Sequence, residues 1–200
     1  MIKSLKSFKY FTPFVLYILA LLSFNGNGLI CWTPLLYTFF LIPFVELFIK
    51  ADRQNLDEVE EALAKKNKAY DLILYAAVIM QYYSLWVFFN SLKQEQVSTI
   101  DMIGRVLSMG LLCGAFGINV AHELGHRVNK TEQTFAKLLL LTSLYMHFFI
   151  EHNKGHHKHV ATPHDPSTAK YNQTVYAFWI QTLIGTYLSA WKIANEEVEK

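Results

Sequence analysis

Two hundred residues are enough for one domain. With 52% hydrophobic and 17% charged residues, the chain is poorer in charge than a soluble domain, where about 25% is typical. The net charge of +2 is too small to suggest nucleic acid, and no basic patch with interleaved aromatics exists to bind it.

The charge is clustered and leaves long uncharged runs, so membrane insertion is the first class to test. The first apolar segment runs from Tyr10 to Phe24, after Lys3, Lys6 and Lys9. No small-residue cleavage site follows it, so it reads as an uncleaved membrane helix rather than a signal peptide. Asn25-Gly-Asn-Gly28 reads as a tight turn. A second span runs from Leu29 to Ile49 and contains Pro34 and Pro43, which membrane helices tolerate. Residues 50–68 are strongly charged, with Leu56, Val59 and Leu63 as a thin apolar stripe, as expected of an interfacial helix. A third span covers Tyr70 to Phe89 and a fourth Ile100 to Ala121. Lys and Arg concentrate at the N-terminus, in 50–68 and after the fourth span, which places those segments on the cytoplasmic side. Of two further apolar segments, 134–150 is expected to lie at the interface or to re-enter the bilayer without crossing, while 173–191, which runs without a breaker into the charged tail, is ambiguous, a long amphipathic helix along the cytoplasmic face being one reading. A crossing by 134–150 would put the two histidine clusters on opposite faces. The expected fold is all-α, a polytopic helical membrane protein with four spans plus interfacial helices, forming a single membrane-embedded domain over 1–200. Cys31 and Cys113 sit in apolar segments and read as small hydrophobes.

Six of the eight histidines fall in two stretches, His122-Glu-Leu-Gly-His126 and Glu151-His152-Asn-Lys-Gly-His156-His157-Lys-His159. Residues at i and i+4 share a helix face, so His122 and His126 can reach one metal ion, and His152 and His156 repeat the spacing. His157, about 100° further round, can point at a second ion. Five imidazoles exceed the needs of one tetrahedral ion, and the ligand type suits Fe, Zn, Cu or Ni. The first cluster is also an H-E-x-x-H string, the zinc-protease signature, but a protease has no use for the second cluster. Glu123, Glu151 and Asp165 are candidates for orienting ligating imidazoles through their other ring nitrogen. Gly110, Gly114 and Gly117 make either a close-packing strip or, with Trp32 and Trp86, room for an apolar substrate.

His122-x-x-x-His126 followed by His152-x-x-x-His156-His157 resembles the first two of three histidine boxes in membrane fatty-acid desaturases and hydroxylases. The longer string from Glu151 through Val160-Ala-Thr-Pro-His-Asp-Pro-Ser-Thr-Ala-Lys170 resembles the membrane alkane monooxygenases, and the likeness extends upstream through Leu41-Ile-Pro-Phe-Val-Glu46. It departs at His164, where that family usually has Glu. The resemblance implies a non-haem centre of two Fe that uses O2 to hydroxylate the terminal methyl of an alkane. Electrons would come from NAD(P)H through a reductase and a rubredoxin or ferredoxin, at the cytoplasmic side of the inner membrane. It implies further that the third box lies beyond Lys200, so the chain is expected to be C-terminally incomplete and inactive alone. A fatty-acyl desaturase is the nearest alternative.

Overall fold

The computed structural model describes residues 13–49 and 67–199. The N-terminal lysines, the start of the first expected span and nearly all of the charged 50–68 segment lie outside the described residues. Everything regular among the described residues is helical. Helix α1 is Val15–Asn25, α2 is Gly28–Glu46, α3 is Lys68–Ser91 and α4 is Thr99–Gly125. Helix α5 is Lys130–Leu141, α6 covers 147–159 and α7 is Val175–Val198.

Helices α2, α3 and α4 are long and apolar enough to cross a membrane, with mean hydropathies of 1.8, 1.7 and 1.5. The described part of the first expected span, α1, is shorter, at 11 residues. Pro43 in α2 cannot donate to a carbonyl four residues back. The helix widens just before it into a π-turn, Tyr37–Leu41, closed by the Ile42 amide on the Tyr37 carbonyl. Widening of this kind accommodates a proline within a helix. Helix starts follow local capping chemistry. Asn67, Ser98, Asn129 and Thr174 each accept a backbone N–H from the first turn of α3, α4, α5 and α7.

The described residues form two compact units, 1–120 and 121–200. The core of the first is built from Leu16, Tyr17, Phe24, Ala77, Phe88, Met109, Leu112 and Phe116. Arg105 in α4 is fully buried. It donates to the Ser91 and Gly26 carbonyls at 2.8 Å each, to Gln94 Oε1 at 3.1 Å and to Asn27 Oδ1 at 3.3 Å. A buried charge is costly unless its donors find acceptors; here both terminal nitrogens do, Nε alone is left without a partner, and the guanidinium ties together the 26–28 and 91–94 turns. Asp101 adds an acceptor for the Gly28 amide at 2.8 Å, and Gly28 supplies the left-handed φ of 63° that the turn requires.

The second unit holds α5, α6 and α7. The apolar segment 134–150 does not continue as one helix. Leu144 adopts φ 55° and the Tyr145 amide bonds back to the Leu140 carbonyl at 2.9 Å, so the chain turns between α5 and α6 and neither is long enough to cross. Helix α7 is continuous for 24 residues. It turns Thr186 and Ala190 inward and leaves Trp179, Ile180, Leu183, Ile184 and Leu188 exposed, the one-sided pattern expected of an interfacial helix.

Candidate metal centre

Helix α4 ends with His122 one turn before His126, and α6 delivers His152, His156 and His157. One ligand nitrogen from each of His122, His126, His152 and His157 lies within 4.8 Å of all the others. His126 Nε2 stands 3.2 Å from His122 Nε2 and 3.1 Å from His152 Nε2, and His157 Nε2 stands 3.1 Å from His152 Nε2. A ring nitrogen carries either one proton or one lone pair, so a single Nε2 facing two others cannot hydrogen-bond well to both. Two nitrogens each about 2.0–2.1 Å from a common metal, at near-octahedral to tetrahedral angles, stand about 2.9–3.4 Å apart. These three spacings match that range, and all four nitrogens lie within 4.8 Å of one another. The donor set therefore fits a transition metal.

Helical spacing pairs His152 with His156; the structure pairs His152 with His157. On an α-helix, residues five apart point about 140° away from each other. Here residues His152–His156 form a π-turn, closed by the His157 amide on the His152 carbonyl. The wider turn puts i and i+5 on one face. His156 is swung out of the four-nitrogen cluster, and its Nδ1 meets Asp165 Oδ2 at 2.9 Å.

Asp165 is 2% exposed. Burial alone would raise its pKa. Hydrogen bonds from the Thr168 hydroxyl, the Ser167 amide and His156 outweigh burial and hold the carboxyl below its ordinary value. It is thus an anion that fixes the His156 ring and leaves Nε2 free. Glu151 is also buried, with Oε1 lacking a hydrogen-bond partner. Burial first, and then Asp165, push its pKa up. Gly155 makes room for it, since a Cβ there would lie 2.7 Å from Glu151 Oε1. Glu123 is exposed and pairs with Arg127 at 3.4 Å, while Arg127 also holds Glu132 at 2.7 Å. Burial, then His122 and the other imidazoles of the cluster, drive the His152 pKa down to about 4. His126 shifts the same way for the same leading cause. Both rings are neutral near pH 7, the form that binds metal.

His159 and His164 face each other, ring centroids 6.2 Å apart, beside an open cleft of about 1470 Å³, outside the four-nitrogen cluster. A Cβ on Gly110 or Gly114 would meet nothing within 4 Å, whereas Gly117 is buried. Trp86 is exposed. Trp32 packs over Gly104, where an added Cβ would come 3.0 Å from Cys31 Cβ and 3.1 Å from the Trp32 indole nitrogen. The close-packing glycine of α4 is therefore Gly104, which the glycine strip did not include.

The family model for fatty acid desaturases matches residues 102–199, the stretch that carries both histidine clusters. Alkane 1-monooxygenase from Ectopseudomonas oleovorans is 31% identical over 88% of this chain and 44% of its own length. Alkane 1-monooxygenase 2 from Pseudomonas aeruginosa is 32% identical over 84% of this chain and 45% of its own. The hydroxylase component of a xylene/toluene monooxygenase from Pseudomonas putida is 31% identical over 53% of this chain and 29% of its own. The chain spans less than half the length of these curated relatives.

Proposed function

We propose that this chain, which is 31% identical to an alkane 1-monooxygenase, is a member of that family and contributes a non-haem di-iron centre that hydroxylates the terminal methyl of alkanes or similar apolar chains with O2. The observation that carries this reading is the convergence of four imidazole nitrogens from α4 and α6, in a chain with three membrane-length helices. His122, His126, His152 and His157 would hold one iron. His156, its tautomer fixed by Asp165, would offer Nε2 to the second. Iron bound there would supply the oxygen activation that an unactivated C–H bond demands.

The chain's own residues do the rest. Asp165 holds the Nδ1 proton of His156, so Nε2 keeps its lone pair for metal. Glu151, buried against Gly155, sets the position of the π-turn, and Glu123 anchors Arg127 at the end of α4. The open strip at Gly110 and Gly114 is the proposed resting place for an alkyl chain drawn from the bilayer, with Gly117, Trp32 and Trp86 as its proposed further lining. The site would lie at the cytoplasmic face of the inner membrane, within reach of a rubredoxin or ferredoxin and its NAD(P)H reductase. The fold would act as one membrane-embedded domain.

The match to the desaturase family model favours one other reading, desaturation of a fatty acyl chain by the same ligands. Incubation with octane and with a fatty acyl thioester, under O2 and a reducing system, separates the two. 1-Octanol that disappears in His126→Ala supports hydroxylation, and an alkene product overturns it. One zinc and no iron per chain overturns both.

A further inference from the structure

A run of touching aromatic rings leaves the metal centre through the second unit. The His152 ring stacks on Phe148 at 4.7 Å and 13°, and Phe148 stacks on Tyr145 at 5.6 Å and 25°. Tyr145 meets His147 edge-on at 4.4 Å, His147 meets Tyr187 at 5.3 Å, and Tyr187 meets Trp191 at 6.4 Å. Trp191, on α7, is 56% exposed. The run therefore joins a candidate ligand to the surface without a gap, and three of its members, Tyr145, Tyr187 and Trp191, are the side chains most easily oxidised by one electron.

Packing alone does not account for its middle member. His147 Nε2 is sealed from solvent and has no hydrogen-bond partner, a condition that costs stability. A phenyl ring would fill the same space without leaving a polar atom stranded. The imidazole is electron-rich, it is kept neutral by burial, and it bridges the two tyrosines.

We propose that Tyr145, His147, Tyr187 and Trp191 form an electron relay that discharges the metal centre when it is oxidised with no substrate in place. The inference rests on the metal reading above. In each discharge Trp191 gives up one electron and its indole proton. The electron passes inward through Tyr187, His147, Tyr145 and Phe148 to the centre, and the proton goes to water. A small-molecule thiol at the surface then returns one hydrogen atom to Trp191, and two such thiols couple to a disulfide. Without the relay, the oxidising equivalent would be spent on the ligand imidazoles themselves.

The test uses the iron-loaded full chain in lipid nanodiscs, with hydrogen peroxide as oxidant and no alkane. Peroxide takes two electrons and two protons and becomes two waters. A spin trap and peptide mapping locate the radicals. Adducts are expected on Trp191 and Tyr187 and not on Trp179, a comparably exposed tryptophan on the same helix whose ring partner is Tyr176. Tyr145→Phe keeps the ring and the packing. With iron content unchanged, it should cut Trp191 adducts about tenfold, the effect of raising a barrier by about 1.4 kcal/mol, and increase oxidised His152 correspondingly. Equal adducts on Trp179 and Trp191, or no effect of Tyr145→Phe, overturns the relay and leaves the iron site standing. Failure of the four histidines to bind iron overturns both.

Discussion

Replacing Gly185 by Ala tests whether the packing of α7 sets the geometry around His156. A Cβ on Gly185 would sit 2.5 Å from Pro166 Cβ, 3.6 Å from its Cγ and 3.7 Å from its Cα. Carbon atoms prefer about 3.5–4.0 Å, so helix and proline must part by close to an ångström. Pro166 is a rigid ring and cannot give way by changing rotamer. Such overpacking costs about 1–3 kcal/mol. Against it stands the helix propensity gained by Gly→Ala, about 1 kcal/mol. The net expectation is a loss of about 0–2 kcal/mol. The displacement falls on the residue next to Asp165, whose 2.9 Å bond to His156 Nδ1 does not survive a shift of that size. Thermal unfolding of the detergent-solubilised protein measures the first effect. Cobalt titration followed by visible absorption measures the second, as weaker filling of a second cobalt with the four-imidazole site intact. Gly110→Ala is the control, since its Cβ enters open space. A Gly185→Ala protein as stable as the control, with an unchanged cobalt titration, would refute the close approach of α7 to the 160–170 loop.

Asp165→Asn removes the anion from His156 while keeping its shape, and is expected to weaken binding of the second metal about 10–100-fold while sparing the four-imidazole site, as read by metal-to-chain stoichiometry at graded chelator concentration. For the metal-free chain, the depressed pKa of His152, about 4 against 6.5, means the unfolded state binds the proton first. Stability should be flat above pH 6.5, fall between 6.5 and about 4, and level off below, which a series of melts at stepped pH would register. Arg105→Ala strands the buried Ser91 carbonyl and takes a partner from the partly buried acceptors of Gly26, Asn27 and Gln94, and a loss of about 3–5 kcal/mol is expected in denaturant titration. A loss below 1 kcal/mol would mean those carbonyls find water.

Long uncharged runs carry the membrane-length helices openly in the sequence, because spanning a bilayer demands length and apolarity and little else. The ligand residues were legible for a similar reason: imidazole clusters have few other uses at that density. How the ligands divide was not legible. The i, i+4 rule holds for an α-helix, and nothing in residue type alone announces that 152–156 will widen to a π-turn. One signal was present in Gly155, a glycine inside a helical run, which commonly marks a close approach. Here the neighbour is the Glu151 carboxylate. Arg105 is a plainer signal in the sequence. With Asp101, it carries the charge in an otherwise uncharged fourth span, and an ionisable residue there has to be buried with partners.

The π-turn does more than regroup ligands. A regular α-helix would offer His152 and His156 to one ion and turn His157 away, so Asp165, which reaches His156, would be orienting a ligand of the same ion. With the turn widened, the four-nitrogen cluster is self-contained and the carboxylate acts on the one imidazole outside it. The two halves of the second histidine cluster then differ in kind. His152 and His157 face each other across the wide turn, with the pKa of the half-buried His152 pushed far down. His156 is held by a buried anion, which fixes its ring and orients its other nitrogen for a metal. An ion bound there would be tuned separately from its neighbour, and the separation originates in one extra residue per turn. Deleting Asn153 takes out the extra residue and leaves His157 four residues after His152, so a regular α-helical turn should keep His152 and His157 on one face and the four-imidazole site intact. Paramagnetic relaxation from a single bound cobalt would then still report His157 inside the first coordination sphere. If His156 enters in place of His157, the extra residue is not what divides the ligands.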